Sequence, residues 1–228
     1  MNARPGGNYY VKPTTLESVI DTFVADTDPL RPASFGQRCR RVQPLLARTL
    51  IVHGAANIPA KGPVIVAKSH PMHYDGLLLD AVFDAQPELR MLAKPSALMD
   101  RMPADNILLM RKVGPHGNHD DIKKLQAHLG NGGSLLATPW GCLNHQAQGQ
   151  VTAERAAQNV IRFAKFASAT VLPVSIEVDY GDPDLLPARS AVVTYGEPIE
   201  PLSTGNLDEA AITAAITNMY KHYTSIAT

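Results

Sequence analysis

Residues 64–80 read VIVAKSHPMHYDGLLLD. Val64 to Ala67 are apolar without alternation, the pattern of a strand covered on both faces. A polar turn follows, and a helix is expected to begin near Asp75 or Gly76. The turn at a strand's end is where α/β proteins commonly carry reactive side chains. Four residues separate His70 from Asp75 in it. If the turn folds back, the carboxylate bonds one imidazole nitrogen and leaves the other as a base. Such a pair suits deprotonation of an alcohol, because the acid fixes the tautomer and stabilises the imidazolium as it forms. Two other uses of the same residues stand beside this one. A His and an Asp at this spacing can simply cap the next helix, and His70, His73 and Asp75 together make an H-x-x-H-x-D cluster able to hold zinc, as in a metal-assisted hydrolase.

Outward from this stretch, short apolar runs alternate with amphipathic helical patterns, which predicts a mixed, largely buried α/β sheet surrounded by helices. The expected strands are Leu50–His53, Pro63–Lys68, Arg90–Ala93, Ile107–Met110, Ser134–Thr138, Val171–Val178 and Ala191–Tyr195. Residues 1–49 read as an N-terminal helical segment, with helices over Thr15–Val24 and Gln37–Thr49 around the Pro-rich break DPLRPAS; residues 50–228 form the α/β domain, the two making one compact unit. Asp121–Leu129 is a further helix, stopped by Gly130. The last helix opens on Asn206 and Glu209 in capping-box spacing and buries Ile212, Ile216, Met219 and Tyr223.

The chain of 228 residues is 45% apolar and 18% charged, with 21 acidic and 21 basic side chains. That balance describes an ordinary globule and lacks the basic excess that nucleic-acid binding requires. Cys39 and Cys142 have no metal-ligand spacing, so no metal is expected. Neither a signal-peptide core nor a membrane-spanning run is visible, which predicts a cytoplasmic protein, with peripheral membrane contact left open.

The HxxxxD arrangement after a buried strand resembles the first motif of the glycerolipid acyltransferase family, the group that contains 1-acylglycerol-3-phosphate acyltransferase. Later landmarks follow in the family's order. Lys94 in MLAKPSALM is similar to the family's lysine after the next strand, and Arg111 in NILLMRKVG resembles the arginine ending the second motif. Pro139 and Gly141 match the proline and glycine of the third motif. VLPVSIEV around Pro173 resembles the fourth, and VTYGEPI near Gly196 the final strand and turn. The resemblance spans roughly residues 50–200.

The resemblance implies an O-acyltransferase in which His70 is the general base and Asp75 orients it. The donor is then a thioester of coenzyme A or of an acyl carrier protein, with no bound cofactor, and the partner is a hydroxyl-bearing or lipid acceptor. It assigns Ser69, Lys94, Arg111, Pro139, Trp140 and Gly141 to substrate binding. Two departures bear on the acceptor. Ser69 stands where the first motif usually has asparagine. Pro139-Trp140-Gly141-Cys142-Leu143 stands where the third motif has Pro-Glu-Gly-Thr-Arg. Leucine offers none of the paired donors with which arginine grips phosphate, a loss of roughly 1.5–3 kcal/mol if nothing replaces it. The implied acceptor is therefore not standard lysophosphatidic acid. A non-catalytic lipid- or carrier-binding module on the same fold is the competing reading.

Overall fold

The computed structural model describes residues 15–25, 33–72, 74–86, 88–94, 101, 107–109, 119–140, 151–180, 186–202 and 204–226. Seven strands form one sheet: β1 (Leu50–His53), β2 (Val64–Lys68), β3 (Leu89–Ala93), β4 (Ile107–Leu109), β5 (Ser134–Ala137), β6 (Thr170–Asp179) and β7 (Ser190–Tyr195). Each lies within one residue of the apolar run that predicts it. Their order is β1-β7-β6-β2-β5-β3-β4. Every neighbouring pair is parallel except β6–β7, so the sheet is mixed.

The described helices are α1 (Leu16–Val24), α2 (Phe35–Leu46), α3 (Asp80–Ala85), α4 (His119–Gly130), α5 (Ala153–Ala167) and α6 (Glu209–Ile226). Alternation along β2 sorts them into two layers. Val64 and Val66 point into one apolar cluster with Val19, Ile20 and Phe23 of α1, Cys39, Val42 and Leu46 of α2, and Val82 and Phe83 of α3. Ile65 and Ala67 point into the other, with Leu125 and Leu129 of α4, Val160 and Ile161 of α5, and Ile212 and Ile216 of α6. Each such fully buried aliphatic or aromatic side chain contributes about 1.5–3 kcal/mol. The apolar stripes of the two N-terminal helices are thus used inside the protein. Burial pushes the Cys39 thiol well above its ordinary value, which leaves it an inert packing residue.

Helix ends differ from expectation where a side chain captures the backbone. α2 starts at Phe35, because Ser34 and Gln37 form a reciprocal capping box, and it ends at Leu46. α6 is capped by Asp208, whose carboxylate accepts from the Ala211 N–H at 2.9 Å, whereas the Asn206 amide donates to Thr204. Tyr223 lies where only the backbone is described. α5 was not among the expected elements. Thr152 caps it, and Ala156, Ala157, Val160, Ile161 and Ala164 supply a buried face.

One feature of register positions everything that follows. The first half of β6 pairs with β2, Val64 opposite Thr170 through Lys68 opposite Val174. Its second half, Ser175–Asp179, runs beyond the end of β2 and pairs only with β7. β7 and β1 therefore rise as a wall past the carboxyl ends of the parallel strands, and α1 and α2 cover one face of it.

Candidate functional site

The carboxyl ends of the parallel strands β2, β5, β3 and β4 share one edge of the sheet, and the chain leaves β2 there against the β6 overhang. Ser69 donates its backbone N–H to Val174 at 3.0 Å. Its hydroxyl accepts from the Ile176 N–H at 2.7 Å and is fully buried. Two residues on, the Pro71 carbonyl accepts from the Tyr180 hydroxyl at 2.8 Å. Burial, aided by the nearby Asp75 charge, pushes that phenol up to about 12, so it stays a donor at any physiological pH. Residues 69–71 are thus clamped along β6. Ser69→Ala would remove the buried hydroxyl that accepts from the Ile176 N–H, with an expected cost of about 1–3 kcal/mol in urea unfolding.

The chain then reverses. Tyr74 takes the left-handed conformation, φ 62° and ψ 15°, unusual for a residue with a side chain. The reversal starts a 3₁₀ turn, Asp75–Leu78, whose Leu77 and Leu78 anchor it in the core and against which α2 packs. It aims Asp75 back at His70. Asp75 Oδ2 lies 2.9 Å from His70 Nδ1 and accepts from the Met72 N–H at 3.3 Å. The carboxylate is 1% exposed, whereas the imidazole side chain is 24% exposed. Of the pair, the ring is the member that meets solvent.

A third residue completes the cluster. Lys68, the last residue of β2, is buried with its Nζ 2.5 Å from Asp75 Oδ1, 3.3 Å from His70 Nδ1 and 3.2 Å from the Ser69 carbonyl. Asp75 therefore accepts from three directions. Burial alone would raise its carboxyl, but the Lys68 charge and the His70 hydrogen bond outweigh it and hold the group below the usual carboxylate range. Lys68 is absent from the sequence-based candidates because it reads there as the polar end of a strand. Val64 and Val66 on the same face hinted at its inward direction.

The other expected site residues are placed less closely. Lys94 follows β3 at the same sheet edge and is exposed. Pro139 and Trp140 follow β5; the Pro139 carbonyl accepts from the Asn159 amide at 3.1 Å, and Trp140 is buried in the α4–α6 cluster. Arg111, Gly141, Cys142, Leu143 and His73 lie outside the described residues. Among the described residues no cluster of His, Cys, Asp and Glu has the arrangement of a metal site. Nor is any described helix long and apolar enough to cross a membrane.

Comparison with known proteins bears on this geometry. The chain is similar over 91% of its length to the crystal structure of PlsC, the 1-acyl-sn-glycerophosphate (LPA) acyltransferase from Thermotoga maritima. The TM-score is 0.57 at 16% identity, with 80% of that chain covered, a likeness of fold alone. No curated protein matches the sequence. A family profile described as Acyltransferase matches residues 49–177, more than half of the chain and the whole of the β2 turn. The chain belongs to the acyltransferase family.

Proposed function

We propose that the protein moves an acyl group from an acyl thioester, of coenzyme A or an acyl carrier protein, to a hydroxyl acceptor. The observation that carries this reading is the His70 Nδ1–Asp75 Oδ2 contact of 2.9 Å on a carboxylate that is itself buried. Asp75 accepts the Nδ1 proton, which leaves Nε2 as the basic nitrogen. As the acceptor oxygen attacks the thioester carbonyl, Nε2 takes its proton. The tetrahedral intermediate collapses, the carbon–sulfur bond breaks, and the thiolate leaves and recovers the proton from His70. No acyl-enzyme forms, so no nucleophilic serine or cysteine is needed, and no cofactor is retained between turnovers.

The acceptor is a hydroxyl compound or lipid other than standard lysophosphatidic acid, on the ground that Leu143 stands where the family has arginine. Lys94, at the strand-end edge, and Arg111, matched to the family by sequence alone, remain as candidate cations for the acceptor. Against the metal-hydrolase reading stands the use of Asp75, whose oxygens already receive Lys68, His70 and the Met72 N–H. The binding-module reading has no comparable support, since a buried carboxylate aimed at a half-exposed imidazole serves no ligand-binding purpose by itself.

Free-thiol release tests the proposal, measured with acyl-CoA and acyl-carrier donors, with and without candidate alcohols. Release should need both an acceptor and His70, and His70→Ala should lower it about 100- to 10,000-fold while donors still bind. Release without an acceptor would make the protein a thioesterase. Silence from the wild-type protein across donors that bind it would favour the binding module.

A further inference from the structure

Lys68 is a buried cation set beside the base, and general-base chemistry gives it no obvious task. A carboxylate and an imidazole suffice to fix a tautomer. An ammonium 3.3 Å from Nδ1 works against the imidazolium that the reaction must form. A lysine side chain is also seldom buried to 3% exposure, and here the fold is built to receive it. Gly76, directly after Asp75, brings its backbone so close that a Cβ there would stand 3.7 Å from Lys68 Cε and 3.2 Å from Met91 Sδ. The Ser69 carbonyl takes a second bond from Nζ at 3.2 Å.

We propose that Lys68 is a positioning residue for the base: it holds Asp75 by one oxygen so that the other faces His70, and its charge offsets that of Asp75 at the ring. The proposal rests on His70 acting as the base. The offset has a consequence for working range. A lone carboxylate beside an imidazole favours the charged ring, and a charged ring cannot accept a proton. Lys68 Nζ, 3.3 Å from the same ring nitrogen, opposes that tendency. The partition of bonds fits this use. Asp75 Oδ1 goes to Lys68 and Oδ2 to His70, so neither donor displaces the other.

Two charged groups lie within hydrogen-bond distance of the ring, and two tyrosines of the neighbouring chain carry no charge. Lys68 comes from β2 and Asp75 from the 3₁₀ turn. Tyr180, beyond β6, stays protonated on the Pro71 carbonyl, and Tyr74, raised by burial, is likewise neutral across the relevant range. Among these described groups, Lys68 and Asp75 carry the charge beside the ring.

The test follows the His70 ring by NMR through a pH titration in the wild type, Lys68→Met, Lys68→Gln and Lys68→Arg, with His70→Ala assigning the signal. The low-pH limb of kcat/KM is measured alongside. Even fully water-screened, a unit charge at this distance moves a titration by about one unit. In both neutral variants the ring should therefore begin to charge about one pH unit higher, and activity at the acidic end should fall about tenfold relative to the plateau. Lys68→Arg, which keeps the charge, should leave both curves near their wild-type positions. A fall in activity that is uniform in pH, with the ring titration unmoved, would overturn the proposal. So would folding of Lys68→Arg alone, since Lys68 would then be a structural counter-ion only. Because the ring titration needs no turnover, it reads the charge offset even if acyl transfer is not found, and the two failures stay distinct.

Discussion

Asp75→Asn should lose about 3–5 kcal/mol of stability, because the change leaves Lys68 buried opposite a neutral amide. Few single changes to an ordinary protein cost so much. The cause is the asymmetry of buried ion pairs: forming one gains little over a well-packed apolar pair, but breaking one strands a charge. The double variant Lys68→Met with Asp75→Leu should accordingly recover much of what either single change loses, a coupling that a double-mutant cycle in urea measures. Activity should not recover, since either change at Asp75 removes the carboxylate that contacts His70; the proposed mechanism predicts a drop of about 100-fold or more. Acid unfolding of the wild type carries the same signature. Asp75 is held below its unfolded value, so its ionised form stabilises the fold above about pH 4, and that stability disappears as pH falls through the lower folded value. Asp75→Leu should flatten this part of the pH–stability curve. If Asp75→Asn proved as stable as the wild type, the buried ion pair described here would be wrong.

Gly54→Ala should destabilise by a comparable amount for an unrelated reason. Gly54 sits in the left-handed region, φ 67°, immediately after β1. A Cβ there would lie 2.1 Å from the Tyr195 carbonyl oxygen, which already accepts the Asn57 amide at 3.1 Å. Backbone strain of about 1–3 kcal/mol adds to an overlap of similar size, so about 2–5 kcal/mol is expected. β7 and β6 stand between β1 and β2, a lateral separation of about 14 Å. The folded fraction of Gly54→Ala should therefore retain wild-type activity per molecule. A kcat lowered in proportion to the stability loss would mean that the wall and the site are mechanically coupled.

The strands were legible because both kinds of cover, helices on each face and strands on each side, demand uninterrupted apolar runs, and β2 and the first half of β6 have them. α5 was harder to see. Its buried face is largely alanine, which marks neither a strong apolar stripe nor a boundary, and only Thr152 signals its start. His70 and Asp75 were legible as a pair through their motif. What ties them together was not. Lys68 ends an apolar run as any solvated lysine might, and only the Gly76 turn folding over its stem shows it to be interior. Ser69 reads as a polar group for a substrate, yet its hydroxyl is spent on β6, because the register that carries β6 past β2 brings Ile176 alongside it. Long-range register of this kind has no local signature in either segment.

The overhang of β6 also sets when the site can exist during synthesis. Ser69 and its partner Ile176 are 107 residues apart in the chain, and Tyr180 comes later still. At about 5–20 residues per second a ribosome needs roughly 5–20 s to travel from the first to the second. Through that interval His70 and Asp75 have been made, but nothing holds the turn between them along an edge. The turn that carries His70 and Asp75 therefore stays unclamped until the sixth strand emerges, and its geometry is completed only by the last third of the polypeptide.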